Sequence, residues 1–452
     1  MMLNRIAGYL NVAGDLRYAL RTLRRNPAFT LAAVLTLALG IGANTAIFSV
    51  VDAYLLRPLP YRAPERLVVL WESTHEGGRG GVAMANYQDW LRQSTAFESL
   101  AAWSPMQVDM KVGDRTERVQ GELATPNYLS LLGVAPQFGR DFGPQEQAPH
   151  PVVIVSDNFW HTRMGGRPDA VGSTILLGGT LFTIVGVLPV GFQGLSGEAE
   201  ILTPIAAYNL MYPQLADMDF PHSRDVHFMR GIARLKPGVS LHVATAQMQA
   251  IGDRLAQQYP DKNHNRSVAL APAHSDMVRN IRPALRALLL AVALVLLVAC
   301  TNVANLFLVR LSRRSQEIAL RTALGATRWR LLRQLWSETI LVSLAGTVLS
   351  LALFPLVRIS LTSFLPLDLP RFTQMQFDVR LLLFAFVLTL VTGGVLAFLP
   401  MIQLRRSRLP QLKSVAQSGD ARPLFRLRSL LATGEVALAV VLTVGSGLTI
   451  KS

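Results

Sequence analysis

Long apolar runs without a charged residue are the dominant pattern in this chain of 452 residues. Four of them are close to or longer than the roughly 20 residues that an α-helix needs to cross a bilayer. They lie at residues 26–51, 287–309, 339–357 and 381–404. A fifth run, at residues 429–450, is interrupted only by Glu435. The pattern predicts an α-helical membrane domain with five spans, the first of which is too long to be the apolar part of a signal peptide.

Residues 57–286, between the first two runs, contain both strand and helix patterns, which predict an α+β domain. At the near end, the pattern predicts a strand at 66–71, a helix at 86–103 and an alternating, half-buried strand at 106–112. The same order of elements recurs at the far end. There we expect a strand at 227–235, a helix at 240–258 with Ser240 as its N-cap, and a strand at 267–272.

The middle of this domain, residues 113–225, is rich in strand and turn signals. Strands are predicted at 152–156, 173–177 and 181–188, with Gly-rich turns between them. We therefore expect a split β-α-β subdomain that carries an inserted β-rich subdomain.

The net charge of +15 lies in three segments that alternate with the rest of the chain. Residues 1–25, 310–338 and 405–428 together hold 19 Lys and Arg residues and four acidic residues, and the remaining charges balance. Loops on the cytoplasmic side of a membrane carry the excess of Lys and Arg. The charge pattern therefore places the N-terminus in the cytoplasm and residues 57–286 outside.

Composition narrows the class of protein further. Half of the residues are hydrophobic and only 16% are charged, which favours a membrane protein over a soluble enzyme. The basic residues flank spans and form no groove-reading motif, so we expect no nucleic-acid partner. The single cysteine, Cys300, lies within a predicted span, so no disulfide framework exists. This composition suits a multi-pass protein of a bacterial inner membrane.

Residues 310–338, which we call the coupling segment, separate two predicted spans. The segment holds seven Arg residues and two acidic residues. Its second half, 324–336, places Trp329, Leu332 and Trp336 on one helical face, with arginines on the others. A basic amphipathic helix of this kind binds anionic membrane lipid or the surface of a soluble partner.

The same segment resembles the conserved cytoplasmic stretch of MacB/FtsX-type ABC transporter permeases. The matching residues are Arg314, Glu317, Ile318, Leu320, Arg321, Ala323, Leu324, Gly325 and Ala326. The resemblance implies that a cytosolic ABC ATPase acts on Glu317, Arg321, Gly325, Ala326, Trp329, Leu332 and Trp336. It also implies transport, efflux or mechanotransmission, and a homodimer or a second permease repeat.

Stretches at residues 126–142, 152–172, 182–192 and 233–240 are similar to the MacB-like periplasmic core domain. Residues 16–61 and 297–310 resemble the acidobacterial duplicated orphan permeases, in which a dedicated ATPase is often not evident. The resemblance covers nearly the whole chain, but it does not specify a substrate.

These features divide the chain into four parts. They are a basic N-terminus with the first span (1–56), a MacB-like periplasmic core domain (57–286), an FtsX-like domain with three spans (287–404), and a basic segment with the fifth span (405–452). The last part resembles the start of a second repeat. We therefore expect a truncated gene or a fragment in preference to a five-span design.

Polar residues inside predicted spans are candidates for helix association or for function. Asn302 and Asn305 are three residues apart and share a helical face. Asn44 offers hydrogen bonds beside Gly40, which permits close helix packing. Glu435 is close enough to the basic residues 422–428 to pair with them, and a direct transport role is the alternative.

The sequence shows no catalytic, cofactor or metal pattern. The eight histidines have neither the spacing nor the cysteine partners of a metal site. Residues 445–452 nearly match a phosphate-binding loop, but Ile450 replaces its second Gly. Any ATP hydrolysis is therefore expected in a separate subunit. The alternatives are an ATP-independent envelope sensor or scaffold, and a membrane-anchored hydrolase.

Overall fold

The computed structural model describes residues 12–74, 78–212, 222–313, 320, 324, 328–364, 378–406 and 433. Contacts divide the chain into two units. The helical unit comprises Met1–Ala53, Arg282–Pro366 and Met375–Ser452, and the α/β unit comprises Tyr54–Ile281 and Leu367–Gln374.

Two helices of the helical unit come first. Helix α1 (Val12–Arg24) is amphipathic, with Ala19 and Leu23 on its buried side. Helix α2 (Pro27–Val51) has proline in its first turn, where the missing N–H group costs no hydrogen bond. A short π-helical turn at Asp52–Leu56 extends it.

The α/β unit contains a sheet of twelve strands within its described residues. In chain order they are β1 (Leu67–Thr74), β2 (Arg79–Gly80), β3 (Val82–Ala83), β4 (Phe97–Val112), β5 (Arg115–Ala124), β6 (Phe138–Gly139), β7 (Val152–Val155), β8 (Thr174–Leu177), β9 (Thr180–Val187), β10 (Ile201–Pro204), β11 (His227–Leu235) and β12 (Arg266–Pro272). The order across the sheet is β12-β1-β11-β4-β5-β10-β7-β9-β6. The strands of the expected insert therefore continue the same sheet, through the long β4–β5 hairpin.

Helices of the same unit cover the sheet. They are α3 (Met84–Gln93), α4 (Tyr128–Leu132), α5 (Asp157–Met164), α6 (Tyr208–Met211), α7 (Leu241–Gln258), α8 (Pro260–Asn263) and α9 (Ala273–Met277). One core cluster contains Trp90 of α3 and Met248 of α7. A second cluster contains Tyr128 of α4 and Trp103 of β4.

Six predicted strands are confirmed, with ends that differ by at most three residues from the prediction. They are the strands at 66–71, 152–156, 173–177, 181–188, 227–235 and 267–272. The N-cap of α7 is confirmed as well, because the Ser240 side chain accepts a hydrogen bond from Val243 N. The periodicity of hydrophobic residues and the capping residue were therefore enough to predict these elements.

The predicted helix at 86–103 is wrong in its second half. Helix α3 ends at Gln93, Ser94 is extended, and β4 begins at Phe97. The centre of β4 is buried on both faces, so its residues show no apolar–polar alternation. Trp90, Phe97 and Leu100 are all buried anchors, but only the first belongs to a helix.

Three long helices complete the helical unit: α10 (Arg282–Arg313), α11 (Arg328–Phe364) and α12 (Val379–Arg406). Among the described residues, four helices are long and apolar enough to cross a membrane, and they lie at Pro27–Leu56, Arg282–Leu311, Arg333–Leu356 and Val379–Ala397. These match the first four predicted spans. The predicted fifth span, 429–450, lies outside the described residues except for Thr433.

Small residues let the helices of this unit approach closely. A Cβ atom added to Gly40 of α2 would lie 3.1 Å from Ala299 Cβ of α10. Asn44 Nδ2 donates to Val292 O at 2.7 Å across the same interface. The Thr347 and Thr389 hydroxyls lie 2.6 Å apart between α11 and α12. Close approach and interhelical hydrogen bonds are the usual means of holding membrane helices together.

Candidate coupling site

Helix α1 forms an ion pair with α11, the helix that begins within the coupling segment. The Asp15 carboxylate pairs with the Arg333 guanidinium, and both side chains are mostly buried. Asp15 lies in the first turn of α1, while Arg21 and Arg24 lie in its last turn. Charges in these places complement the helix dipole. The N-terminal helix is therefore part of the site.

Arg310, near the end of α10, makes contacts that join the helices around it. Its Nη1 atom lies 3.7 Å from Glu338 Oε2, its Nη2 atom donates to Thr22 O at 3.0 Å, and its guanidinium lies 4.7 Å from the centroid of the Phe29 ring. Phe29 also makes an edge-to-face contact with Phe307. Arg310 thus contacts α1, α2 and α11 at once.

Burial makes the Arg310–Glu338 pair important for stability. The Glu338 side chain is only 2% exposed and the Arg310 side chain 12%. A buried charge that loses its partner destabilises a protein by about 3–5 kcal/mol. Since Arg310 and Glu338 are the two end residues of the coupling segment, their pairing holds both of its ends in one place.

The structure describes only part of the predicted coupling residues. Glu317, Arg321, Gly325 and Ala326 lie outside the described residues. Trp329 and Leu332 belong to α11, and the Trp336 side chain on the same helix is half exposed. The predicted amphipathic helix at 324–336 is described from Arg328 onward, and Leu324 lies in a turn. Helix α11 runs without interruption from Arg328 into the apolar span.

The structure describes two of the three predicted intramembrane polar residues. Asn302 and Asn305 on α10 are both half-buried, with buried neighbours at Val303 and Ala304. The Asn305 Oδ1 atom is buried and has no hydrogen-bond donor among the described residues. Glu435 lies outside the described residues.

Sequence reasoning missed four residues of this site: Asp15, Arg310, Arg333 and Glu338. Two of these residues, Arg310 and Glu338, border apolar runs, and that position was a usable signal. Arg310 directly follows one run and Glu338 directly precedes the next. Charges so close to hydrocarbon are costly without partners, which would have suggested this pair.

Two of the buried carboxylates in the α/β unit, Glu72 and Glu122, have opposite properties. Glu72 accepts hydrogen bonds from Asn86 Nδ2 at 2.9 Å and Arg266 Nη1 at 3.0 Å, and it lies 3.1 Å from His227 Nε2. Burial alone would raise the pKa of Glu72. Hydrogen bonds from His227, Asn86 and the Ala83 N–H group outweigh that effect and hold its pKa below the usual value.

The second carboxylate, Glu122, is fully buried. The Tyr128 hydroxyl donates to Glu122 Oε2 at 2.7 Å, and Ser196 N donates to the other oxygen. Burial raises the pKa of Glu122, and the hydrogen bonds from Ser196 and Tyr128 do not offset it. The loop that covers Glu122 includes Gly194, at φ 73°, where an added Cβ would meet the carboxylate.

Family comparisons decide the class of this protein. The model described as MacB-like periplasmic core domain matches residues 30–251, and the model described as FtsX-like permease C-terminal matches residues 289–409. The chain is a MacB/FtsX-type ABC transporter permease. Permeases of this type are multi-pass proteins of the inner membrane and the membrane components of ABC-type systems.

Curated relatives of this permease are macrolide export ATP-binding/permease proteins called MacB. The protein from Chromobacterium violaceum is 28% identical over 232 residues, which are 50% of this chain and 33% of that protein. The protein from Escherichia coli K12 is 26% identical over 280 residues, which are 61% of this chain and 40% of that protein. This permease therefore spans well under half of the length of these relatives.

Among solved structures, the permease is similar to the periplasmic region of MacB from Actinobacillus actinomycetemcomitans. The two are 10% identical, with a TM-score of 0.35, over 48% of this chain and 92% of that one. A domain of a putative permease protein from Porphyromonas gingivalis is 17% identical, with a TM-score of 0.36, over 47% of this chain and 92% of that one.

Proposed function

We propose that this permease couples a separate cytosolic ABC ATPase to its periplasmic α/β unit, in an export or mechanotransmission system. The observation that carries the proposal is the pairing of Arg310 with Glu338, supported by that of Asp15 with Arg333. Because the two ends of the coupling segment are held together, a force on residues 314–327 would reach α10, α11 and α1 at the same time.

The ATPase would contact the residues that carry the family motif and the amphipathic face. These are Glu317, Arg321, Gly325, Ala326, Trp329, Leu332 and Trp336. The half-exposed Trp336 and the continuity of α11 support this assignment. Because α11 starts in the coupling segment and continues into the apolar span as one helix, a force on the segment would reach the membrane. ATP hydrolysis would reside wholly in the partner subunit.

The orientation follows from charge. With the N-terminus in the cytoplasm, the basic segments 1–25, 310–338 and 405–428 all face the cytoplasm, as the positive-inside rule requires. In this arrangement residues 429–450 form a fifth span, and residues 57–286 form a periplasmic core domain with a split β-α-β subdomain and a β-rich insert.

A second helical unit is expected beside the first, from a homodimer or from a second permease repeat like those of duplicated permeases. Large apolar side chains are exposed along α10 and α12, among them Leu290 and Leu383. Lipid and the second unit would cover them. In this arrangement Asn302 and Asn305 stabilise helix association, and Glu435 pairs with basic residues near the cytoplasmic interface.

Site-specific photo-crosslinking in native membranes tests the proposal. A photoreactive amino acid at Leu332 should crosslink to a protein with ATP-binding motifs, identified by mass spectrometry. The matched control is the same amino acid at Val379, an exposed apolar position on α12 of the same helical unit. If Leu332 crosslinks only to lipid, or if both positions capture the same proteins, the chain acts without an ATPase, as a sensor or scaffold would.

A further inference from the structure

A cavity of about 450 Å³ opens on one face of the α/β unit, away from the coupling segment in sequence. Its lining combines two tryptophans with three arginines, and Asp276 is the carboxylate among its lining residues. Neither the family motif nor the proposed coupling function uses these residues. A concave site with convergent polar groups is the usual place for a small-molecule ligand.

Strand register explains why the aromatic and cationic residues meet. Trp103 of β4 pairs with Arg230 of β11, and Leu70 of β1 pairs with Gly231 of β11. The two strands are antiparallel, so the residue after Leu70 lies opposite the residue before Gly231. Trp71 therefore lies in the same row as Arg230 and Trp103, across three neighbouring strands. Both tryptophans belong to the core cluster on that face.

The arginines lie against the tryptophans. The Arg79 guanidinium carbon is 3.7 Å from the centroid of the Trp71 ring, and that of Arg230 is 5.3 Å from the Trp103 ring. Arg79 also pairs with Asp276. Arg230 and Arg279 are exposed, and neither has a carboxylate partner among the described residues. The cavity therefore holds an excess of positive charge and keeps two guanidinium groups available.

The indole N–H groups are a second, independent observation. The Nε1 atoms of Trp71 and Trp103 are buried, and neither has a hydrogen-bond acceptor in the part of the chain that the structure describes. Buried donors without an acceptor are unfavourable, so native structures seldom leave them so. Both rings line the cavity, so a ligand there would offer these N–H groups an acceptor once a small shift of the lining exposes them.

We propose that this cavity binds a small oxyanion-bearing molecule, with a phosphate or carboxylate group held by Arg230 and Arg279. Arginine suits such groups because its planar guanidinium donates two parallel hydrogen bonds to them. Val69, Leu195 and Met277 also line the cavity and offer apolar contact to the rest of the molecule. The source of the group is either an amphipathic molecule, such as a lipid headgroup with its chain, or a free anion.

The test uses the full chain in dodecyl maltoside, labelled with 5-fluorotryptophan and observed by ¹⁹F NMR. Trp71→Phe and Trp103→Phe assign the two resonances, and Phe keeps the aromatic packing. The probes are hexyl phosphate, inorganic phosphate and hexanol. We expect a phosphate probe to shift both resonances saturably and hexanol to leave them unchanged. Tighter binding of hexyl phosphate identifies an amphipathic ligand, and equal binding identifies a free anion.

Arg230→Gln should weaken the binding about tenfold or more, because it removes a charged hydrogen-bond donor. Arg230→Lys should restore part of the affinity. Arg118→Gln, at an exposed arginine of β5 outside the cavity, is the matched control and should leave the affinity unchanged. The proposal is overturned if neither phosphate probe gives saturable shifts, or if Arg230→Gln and Arg118→Gln affect the binding equally.

Discussion

Arg310 and Glu338 lie at opposite ends of the coupling segment, yet their side chains are 3.7 Å apart. The pair therefore joins the end of α10 to α11 across 27 intervening residues of sequence. Arg310 also contacts α1 through Thr22 O and α2 through the Phe29 ring. Arg310 thus links α10 to three other helices, at the place where the proposed ATPase would act.

Neutralising one member of this pair should destabilise the helical unit. Arg310→Gln removes the cation that pairs with the buried Glu338 carboxylate, a loss that costs about 3–5 kcal/mol for a buried pair. We expect a clearly lower melting temperature for the full chain in detergent. The double variant Arg310→Met/Glu338→Met should recover much of the loss, because it removes both charges. Arg167→Gln, from an exposed ion pair with Asp169, is the control and should melt like the wild type.

Topology follows from the charge pattern and can be measured separately. Reporter fusions after Gly113 and Gly325 should indicate opposite sides of the membrane, with Gly325 in the cytoplasm. Alkaline phosphatase should be active only at the first position, and green fluorescent protein should be fluorescent only at the second. The same result from both positions would contradict the proposed orientation.

Glu72 should stabilise the α/β unit only while it is ionised. Its pKa in the folded chain is held below the unfolded value of about 4.3. Its contribution is therefore present above that pH and is lost as the pH falls through the lower, folded pKa. Glu72→Gln should reduce the melting temperature at pH 7 and converge with the wild type in acid. A constant difference across the pH range would show that the charge is not responsible.

Glu122 should show the opposite dependence on pH. Because burial raises its pKa in the folded chain, stability is present below the unfolded pKa and is lost as the pH rises through the folded pKa. Glu122→Gln removes the carboxylate and keeps its size, so we expect it to melt higher than the wild type at pH 8. The advantage should disappear near pH 4. A variant that melts lower than the wild type throughout would contradict this account of Glu122.

Local signals in the sequence were enough for much of the fold. The N-cap of α7 at Ser240, the strand at His227–Leu235 and four apolar spans are governed by capping, period and length, which need no tertiary information. The helix expected beyond Gln93 failed because residues 100–104 of β4 are buried on both faces, and such a stretch has no alternation to distinguish it from a helix.

The candidate site was less accessible to sequence reasoning. The motif and the amphipathic face predict a coupling role for residues 310–338, but the partner of a charged residue depends on how helices pack. Asp15 and Arg333 are more than three hundred residues apart, and only the fold brings them together. The row of Trp71, Arg230 and Trp103 likewise depends on strand register, which no local pattern determines.

Vanadate-sensitive ATP hydrolysis that co-purifies with the tagged chain from its native membranes tests the central claim most directly. The wild type and Val379→Glu should both carry the activity, because Val379 lies outside the coupling segment. Trp336→Glu places a charge on the half-exposed face of α11 and should lose most of the activity while the chain still inserts and melts normally. Equal activity in all three preparations, or none in the wild type, would contradict coupling of an ATPase through residues 310–338.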